Sequence, residues 1–390
     1  MQVGAFYPPH LGGLETVMRS VSEGVAATTA VTVVTTDCGA AGAPRRQSEG
    51  NLRVHRLRGR EFAHTPLAPG YLPRLLRISR DHVVHLHLGH ALVPELVLLA
   101  ALARRFPYVA HFHIDADQSG PLGVLLPVYK ALFLRPVLRR ASCVIALSEK
   151  VGAEMSRDYG VPAERVLVMS NGVAPEFFEE PELVEEPGGA HAEDVHTGGR
   201  PVRLLFVGRL TRQKNVPRLL TAMTLVRTAV ELVIVGDGED RADVEAQVAA
   251  LGLTQVRLVG VQVGRELAAW HRWADVFVLT SDVEGGLPLV VLEAMAGGLP
   301  VVATDVPGVS DTFGDAGVLA APDPRSVAEA VDQLAGSPQL RRKVGARNRA
   351  RAESFSWARR IETLRALYRQ VHPDHPGDLD VAALRETLAG

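Results

Sequence analysis

Two doubly wound α/β domains, each built on a parallel sheet, are the fold class this sequence predicts. Three observations lead there. Short apolar runs alternate with longer amphipathic runs along nearly the whole chain, the pattern of strands buried on both faces and helices that cover them. The alternation breaks once, at Glu179–Arg200 (EEPELVEEPGGAHAEDVHTGGR), which is acidic, rich in Pro and Gly and without apolar period. The length, 390 residues, suits two domains with sizeable cores.

In the first half, strands are expected near Met1–Phe6, Ala30–Thr35, Val83–His87, Tyr108–His113, Cys143–Leu147 and Val166–Met169. Amphipathic helices such as Leu14–Ala27 and Ala91–Arg105 separate them. The first run, Met1–Ala5, is short for a central strand, so either the natural start lies a few codons upstream or the strand itself is short. After the break, strands are expected at Val202–Val207, Leu232–Val235, Val256–Val259, Val276–Leu279, Val301–Ala303 and Val318–Ala320, and two helices follow at Gln339–Arg351 and Trp357–Val371. The resulting division is a first domain over 1–178, a linker or loop over 179–200 and a second domain over 201–355. A closing helix over 356–371 should pack back toward the first domain, and 372–390 reads as a tail with one short helix. Doubly wound sheets bind ligands outside the carboxyl ends of their strands, so the two domains should face a central cleft.

Composition removes several function classes. Net charge is −2, which gives no support for a nucleic-acid binder. Only two cysteines occur, so no disulfide framework is expected and a reducing, cytoplasmic compartment is. Cys143 lies in an apolar strand and reads as core. The apolar run Leu96–Ala103 is too short to span a membrane, and no signal peptide is evident.

The most informative segment is Thr280–Ala296, TSDVEGGLPLVVLEAMA. Val276–Leu279 before it reads as a buried strand. Gly285 and Gly286 allow a tight turn and close backbone approach to a ligand. Pro288 suits a first helical position, because it has no N–H to lose there. The helix Pro288–Gly297 would then aim its free amides at the turn, as an anion site requires. Glu293 sits among Val290, Val291, Leu292, Ala294 and Met295, and a carboxylate in that company needs a partner. Two ribose hydroxyls would serve, and so would a nearby Arg.

A second constellation is Phe206–Lys214, FVGRLTRQK. Gly208 gives a turn after a strand, and Arg209 and Lys214 flank the next helix start. Two cations there fit a diphosphate, or a plain solvated turn. The glycines of Val233–Gly238, VIVGDG, read as structural, and Val256–Leu267, VRLVGVQVGREL, is a strand leading into a helix. In the first half, Gly12 and Gly13 of YPPHLGGLE precede a helix and could offer amides to an anion. The absence of G-x-G-x-x-G from this first turn counts against a nicotinamide enzyme. Two strand ends carry histidines, HLHLGH (His85, His87, His90) and HFHIDADQ (His111, His113, Asp115, Asp117). The metal reading is set aside, because no Cys or His-x3-His spacing supports it. Asn171 in SNGV reads as a turn residue with positive φ, and Ser148 as an N-cap. Pro121–Arg140 mixes Lys130, Arg135, Arg139 and Arg140 with Leu, Val and Phe. It reads as a core helix with a basic end, and an interfacial helix on anionic lipid is the second reading.

These segments, in this order, resemble the retaining glycosyltransferases of family 4, the glycosyl transferases group 1, which include sucrose synthase and bacterial mannosyl- and glucosyltransferases. The resemblance runs from Tyr7 to about Tyr368. It implies the GT-B architecture, with an acceptor-binding first domain and a second domain that binds a nucleoside diphosphate sugar. It implies that Glu293 takes the donor ribose, that Gly285, Gly286 and Leu287 meet sugar and phosphate, and that Arg209 and Lys214, after Gly208, hold the pyrophosphate. Gly12 and Gly13 would lie near the diphosphate and acceptor, and VRLVGVQVGREL beside the base. His113, with His111 as the alternative, would touch the donor sugar. The pattern also places a Glu eight positions before the ribose-binding one. Here Glu284 stands one residue further away, with eight residues between it and Glu293 in place of seven.

The implied reaction moves a hexose-type sugar to a hydroxyl of a surface polysaccharide, glycolipid or natural product. Attack comes on the face the diphosphate leaves, and no metal or other cofactor takes part. His113, Arg209, Lys214 and Glu284 are the catalytic candidates. Expected partners are the donor and a sugar, lipid-linked or small-molecule acceptor, with no nucleic acid. Peripheral attachment to the inner face of the membrane stays open. A nucleotide-sugar epimerase or a non-catalytic sugar-nucleotide-binding protein is the alternative.

Overall fold

The structure is a computed structural model that describes all residues except 41, 63–64, 114–125, 180–199, 285–286, 307–308, 376 and 390. Asp115, Asp117, Gly285, Gly286 and nearly all of the expected linker therefore lie outside the described residues, as do the side chains of 126–127, 311–312 and 389. The chain divides into two compact units. One comprises Met1–Asn171 with Trp357–Gly390, and the other Gly172–Ser356.

The first unit holds ten strands: β1 Gln2–Val3, β2 Val31–Thr36, β3 Arg46–Glu49, β4 Leu52–Leu57, β5 Arg60–Phe62, β6 Thr65–Leu67, β7 Val84–Leu88, β8 Tyr108–Phe112, β9 Cys143–Ala146 and β10 Val166–Val168. Eight form one sheet in the order β10-β9-β8-β7-β1-β2-β4-β3, and β5 with β6 makes a separate hairpin. All neighbours in the main sheet are parallel except β3 against β4. β1 is short yet central, pairing with β2 on one side and β7 on the other. β3 and β4 were not expected. β4 alternates buried and half-exposed positions and β3 is exposed throughout, so neither presents the continuous apolar run of a central strand.

The helix Trp357–Val371 completes this unit. Its Ile361, Leu364 and Leu367 join Val17, Val21 and Val25 of the helix Gly13–Ala26 in one core cluster. Gly24 makes the approach possible: a Cβ there would lie 2.6 Å from Ile361 Cγ1. Val381 and Leu384 of the helix Val381–Ala389 extend the same cluster.

The second unit carries β11 Val202–Val207, β12 Val230–Val235, β13 Val256–Gly260, β14 Val276–Leu279, β15 Val301–Thr304 and β16 Gly317–Ala320. They form one parallel sheet in the order β13-β12-β11-β14-β15-β16. Apolar clusters cover both faces, one around Phe206, Leu219 and Ile234, the other around Phe277, Leu292 and Trp270. Val173 and Phe177 belong to the latter cluster. Residues 172–178, expected with the first domain, thus pack with the second, because their apolar side chains fill its core.

Both sheets reverse their winding at one point. In the second unit this is between β11 and β14, and in the first between β1 and β7. In each sheet the turns after those strands stand at the carboxyl ends, where doubly wound sheets take their ligands.

Candidate functional site

Adjacency of β11 and β14 brings together two segments far apart in sequence. The turn after β11 contains Gly208, Arg209 and, in a short 3-10 turn Arg212–Lys214, the second cation. After β14 come Thr280–Glu284 and, beyond the two residues not described, Leu287. Backbone and side chains stitch them together: Asp282 N–H donates to Gln213 O (2.8 Å), Gln213 Nε2 to Val283 O (2.8 Å), and Thr280 Oγ1 to Lys214 O (3.2 Å). Asn215, at φ 45°, caps the helix Val216–Met223 by accepting from Arg218 N–H at 3.2 Å. Arg218 in turn holds Asp282 at 2.7 Å.

The turn after β12 supports the same floor. Gly208 N–H donates to Val235 O at 3.0 Å and Leu210 N–H to Asp237 O at 2.9 Å. Gly236, at φ 141°, lies so close that a Cβ on it would stand 1.9 Å from Gly208 O. The VIVGDG glycines are therefore structural, as read from sequence, and they hold the Gly208 turn by backbone contact.

Lys214 is not free. Its Nζ donates to Glu284 Oε1, which also accepts from Ser281 Oγ at 2.6 Å. Both charged side chains are mostly buried. The one-residue offset of Glu284 is thus accompanied by an ion pair to the predicted phosphate-binding lysine. Arg209, by contrast, is exposed.

Beyond this turn stands the helix Leu289–Ala296. Pro288 is extended (φ −61°, ψ 143°) and occupies the N-cap. That corrects the expectation of a first helical position, because the helical ψ begins one residue later. Leu287 is buried. Glu293 is 6% exposed, and its Oε2 has no hydrogen-bond partner among the described residues. Burial, and then the negative charge of Glu176, pushes its carboxyl up to about 8. Among the described residues no arginine pairs with it.

In the first unit, the helix Gly13–Ala26 begins after β1 with Gly12 as N-cap. Its own Glu15 carboxylate curls back over Gly12, where a Cβ would lie 2.1 Å from Glu15 Oε2. His10 Nδ1 faces that carboxylate at 3.1 Å. Burial alone would raise Glu15, but the close approach of His10 and its own backbone amide outweigh it and hold it below the usual range. The helix start therefore already carries an anion, a consequence sequence reading missed although the Gly-Gly-x-Glu spacing was visible.

His85 and His87 on β7 share a face with His111 on β8 and His113 just past its end, and His87 pairs with His111 in register. All four rings are buried. His85 Nε2 and His111 Nδ1 are 3.2 Å apart, and His87 Nδ1 and His113 Nε2 3.0 Å. Gln2 Oε1 lies 2.9 Å from His87 Nε2, and Tyr368 Oη 2.5 Å from His85 Nδ1. Burial holds His85, His87 and His111 well below the usual imidazole range, and His113 at about 3 despite the opposing pull of Glu15. Nitrogens of His85, His87 and His111 come within 4.8 Å of one another, as a cation would need. The hydrogen bonds of these rings to one another and to Tyr368, however, engage nitrogens a cation would use. His113 holds the strand-end position, whereas His111 lies within the strand. Gln2 and Tyr368 were missed, since nothing in their local sequence shows that they meet this cluster.

Among the remaining expectations, Ser148 caps its helix by accepting from Val151 N–H at 3.3 Å, and Cys143 is buried in the core with its thiol pushed up to about 12. Asn171 does not adopt positive φ. The basic helix is not a core helix throughout. Leu126–Tyr129 runs through a π turn, Lys130–Leu134, into Arg135–Arg140, burying Leu134, Val137 and Leu138 while exposing Val128, Leu132 and Phe133. Tyr129 ties it to the neighbouring helix Val93–Arg104 by donating to Glu95 Oε1 at 2.6 Å, and that helix exposes Leu99 and Leu102. Among the described residues no helix is long and apolar enough to cross a membrane.

Both units resemble known proteins. Residues 12–172 match the family described as glycosyl transferase 4-like domain, and residues 201–337 that described as glycosyl transferases group 1. The chain is 33% identical over 259 residues to the alpha-maltose-1-phosphate synthase of Mycolicibacterium smegmatis, which covers 61% of this chain and 65% of that one. The match therefore leaves about a third of that relative's length unaligned. It is 30% identical over 307 residues to the D-inositol 3-phosphate glycosyltransferase of Jonesia denitrificans, covering 73% and 71%. The fold is similar to that of sucrose-phosphate synthase from Thermosynechococcus elongatus, with TM-score 0.74, 22% identity and coverage of 95% and 98%.

Proposed function

Because the chain belongs to the glycosyl transferases group 1 and has the GT-B fold of two Rossmann-like units, we propose that it moves a sugar from a nucleoside diphosphate donor to an acceptor hydroxyl with retention at the anomeric carbon. The observation that carries the reading is the switch point of the second sheet. There the turn that carries Gly208, Arg209 and Lys214 is hydrogen-bonded to the turn after β14, and the helix that follows bears a buried Glu293 whose Oε2 has no hydrogen-bond partner among the described residues.

In this reading Glu293 accepts hydrogen bonds from the ribose hydroxyls, which supply a partner for its Oε2. The diphosphate lies against Arg209, Lys214 and the free amides of the helix Leu289–Ala296, with Leu287, Gly285 and Gly286 toward the sugar. As the anomeric C–O bond breaks, charge grows on the departing phosphate. Two cations and a helix dipole stabilise it without a metal ion. The same phosphate then takes the proton of the acceptor hydroxyl, which attacks from its side. Lys214 reaches the donor by leaving Glu284, which stays satisfied in part by Ser281. His113, neutral at working pH, hydrogen-bonds a hydroxyl of the transferred sugar. Gly12 and Gly13, with Glu15 across the helix start, serve the acceptor.

The test is a thermal-shift panel of nucleotide sugars, followed by product analysis with the donor that binds. We expect a shift from one donor class, nucleoside diphosphate release that depends on acceptor, an α-configured product from an α-linked donor, and activity that survives EDTA. Epimerised donor without transfer, or activity permanently lost to chelation, would refute the reading.

We also propose peripheral attachment to anionic membranes. Leu132 and Phe133, 64% and 51% exposed, stand beside Lys130, Arg139 and Arg140 on a helix that also exposes Val128. The protein is expected to sediment with anionic vesicles and not with neutral ones, and Leu132→Glu with Phe133→Glu to stay in the supernatant. Equal partition of both proteins would exclude this attachment.

A further inference from the structure

We infer that Gln2 and His87 are positioning residues for His113, fixing its ring in the tautomer protonated on Nε2 and bare on Nδ1. Burial keeps all four histidines of the cluster neutral, and a neutral imidazole has one donor and one acceptor nitrogen. Each ring–ring contact must then join a donor to an acceptor, so the roles propagate along the chain of rings.

The direction is set at Gln2. Its Nε2 donates to Tyr368 Oη at 3.2 Å. Its Oε1 is left to accept from His87 Nε2–H at 2.9 Å. His87 Nδ1 is therefore the bare nitrogen and accepts from His113 Nε2–H at 3.0 Å. His113 Nδ1 keeps its lone pair. On the other branch the Tyr368 hydroxyl donates a hydrogen bond to His85 Nδ1, and His85 Nε2–H donates to His111 Nδ1. Turning the Gln2 amide over would reverse both branches at once. One amide, held by a tyrosine on the helix Trp357–Val371, thus decides whether His113 offers a lone pair or an N–H. A bare Nδ1 suits the hydroxyl of a sugar as hydrogen-bond donor. That functional consequence rests on the transferase reading above, whereas the tautomer does not.

The experiment uses the full chain labelled with nitrogen-15 in histidine. Ring nitrogen shifts report which nitrogen is protonated, and His113→Asn assigns the His113 signals. In the wild type, His113 is expected to be protonated on Nε2 alone. In Gln2→Met, and independently in the near-isosteric Tyr368→Phe, its signals should move toward those of a tautomer mixture. In both variants kcat should fall about tenfold, the lower end for partners that orient a working histidine, while donor KM stays within about twofold. Wild-type His113 protonated on Nδ1, or unchanged shifts in both variants, would overturn the inference. Should the wild type transfer no sugar, the functional reading fails and the nitrogen shifts still decide the tautomer.

Discussion

Glu293→Gln should make the ligand-free protein more stable and the enzyme worse. The carboxyl titrates near 4.3 in an unfolded chain and at about 8 in the fold. Between those values the folded state holds a proton that the unfolded state has released. Stability therefore falls as pH rises through this window and levels off above it. Gln keeps the shape and carries no proton to lose. At pH 4 the two proteins should unfold alike, and by pH 8 the variant should be more stable by roughly 3–5 kcal/mol in the transition of the second unit. Donor turnover should move the other way, falling about 10- to 100-fold in kcat/KM, because the ribose loses hydrogen bonds to a charged group. Denaturant titrations at the two pH values, with kinetics on the same samples, test both arms. A variant no more stable at pH 8 than at pH 4 would show that Glu293 is already satisfied without ligand. Unchanged turnover would remove it from the donor site.

Lys214→Ala should lower kcat/KM by about 10²- to 10³-fold, the usual cost of removing one group that stabilises charge developing in a transition state. It should also destabilise the second unit, by about 2 kcal/mol, because Glu284 loses its charged partner and, among the described residues, keeps Ser281 alone. The two effects separate in the double variant Lys214→Ala, Glu284→Gln. Removing the orphaned charge should restore most of the stability and none of the turnover. Stability and activity recovering together would mean that Lys214 acts only through the fold. Wild-type turnover in Lys214→Ala would end its assignment as a phosphate ligand.

The strands that carry these residues were largely legible because parallel strands covered on both faces read as unbroken apolar runs. Val202–Val207 and Val276–Leu279 fall where expected, and so does the helix Trp357–Val371. β3 and β4 were not: the edge strand β3 is exposed throughout, and β4 beside it alternates buried with more exposed positions, so neither gives an unbroken apolar run. For the site, sequence reading gathered Arg209, Lys214, Glu284 and Glu293 into one region. It could not show that Lys214 and Glu284 pair, since that follows from β11 lying beside β14 and not from any local pattern. The histidine cluster divides the same way. Each H-x-H is visible and its period places both rings on one face, but their union needs the pairing of β7 with β8. Gln2 and Tyr368 needed a contact across 366 positions.

The division of the chain has a bearing on its synthesis. The second unit is one continuous stretch, Gly172–Ser356, set between two parts of the first. On the ribosome it can fold while the first unit still waits for residues 357–390, which supply Ile361, Leu364 and Leu367 to its core. The usual order, amino-terminal domain first, is thus inverted. Nascent chains longer than 171 residues but short of the Trp357–Val371 helix would leave Val17, Val21 and Val25 without Ile361, Leu364 and Leu367 against them, and that part of the cluster open to chaperones. The imidazole cluster would gain Tyr368 only in the last stage of maturation.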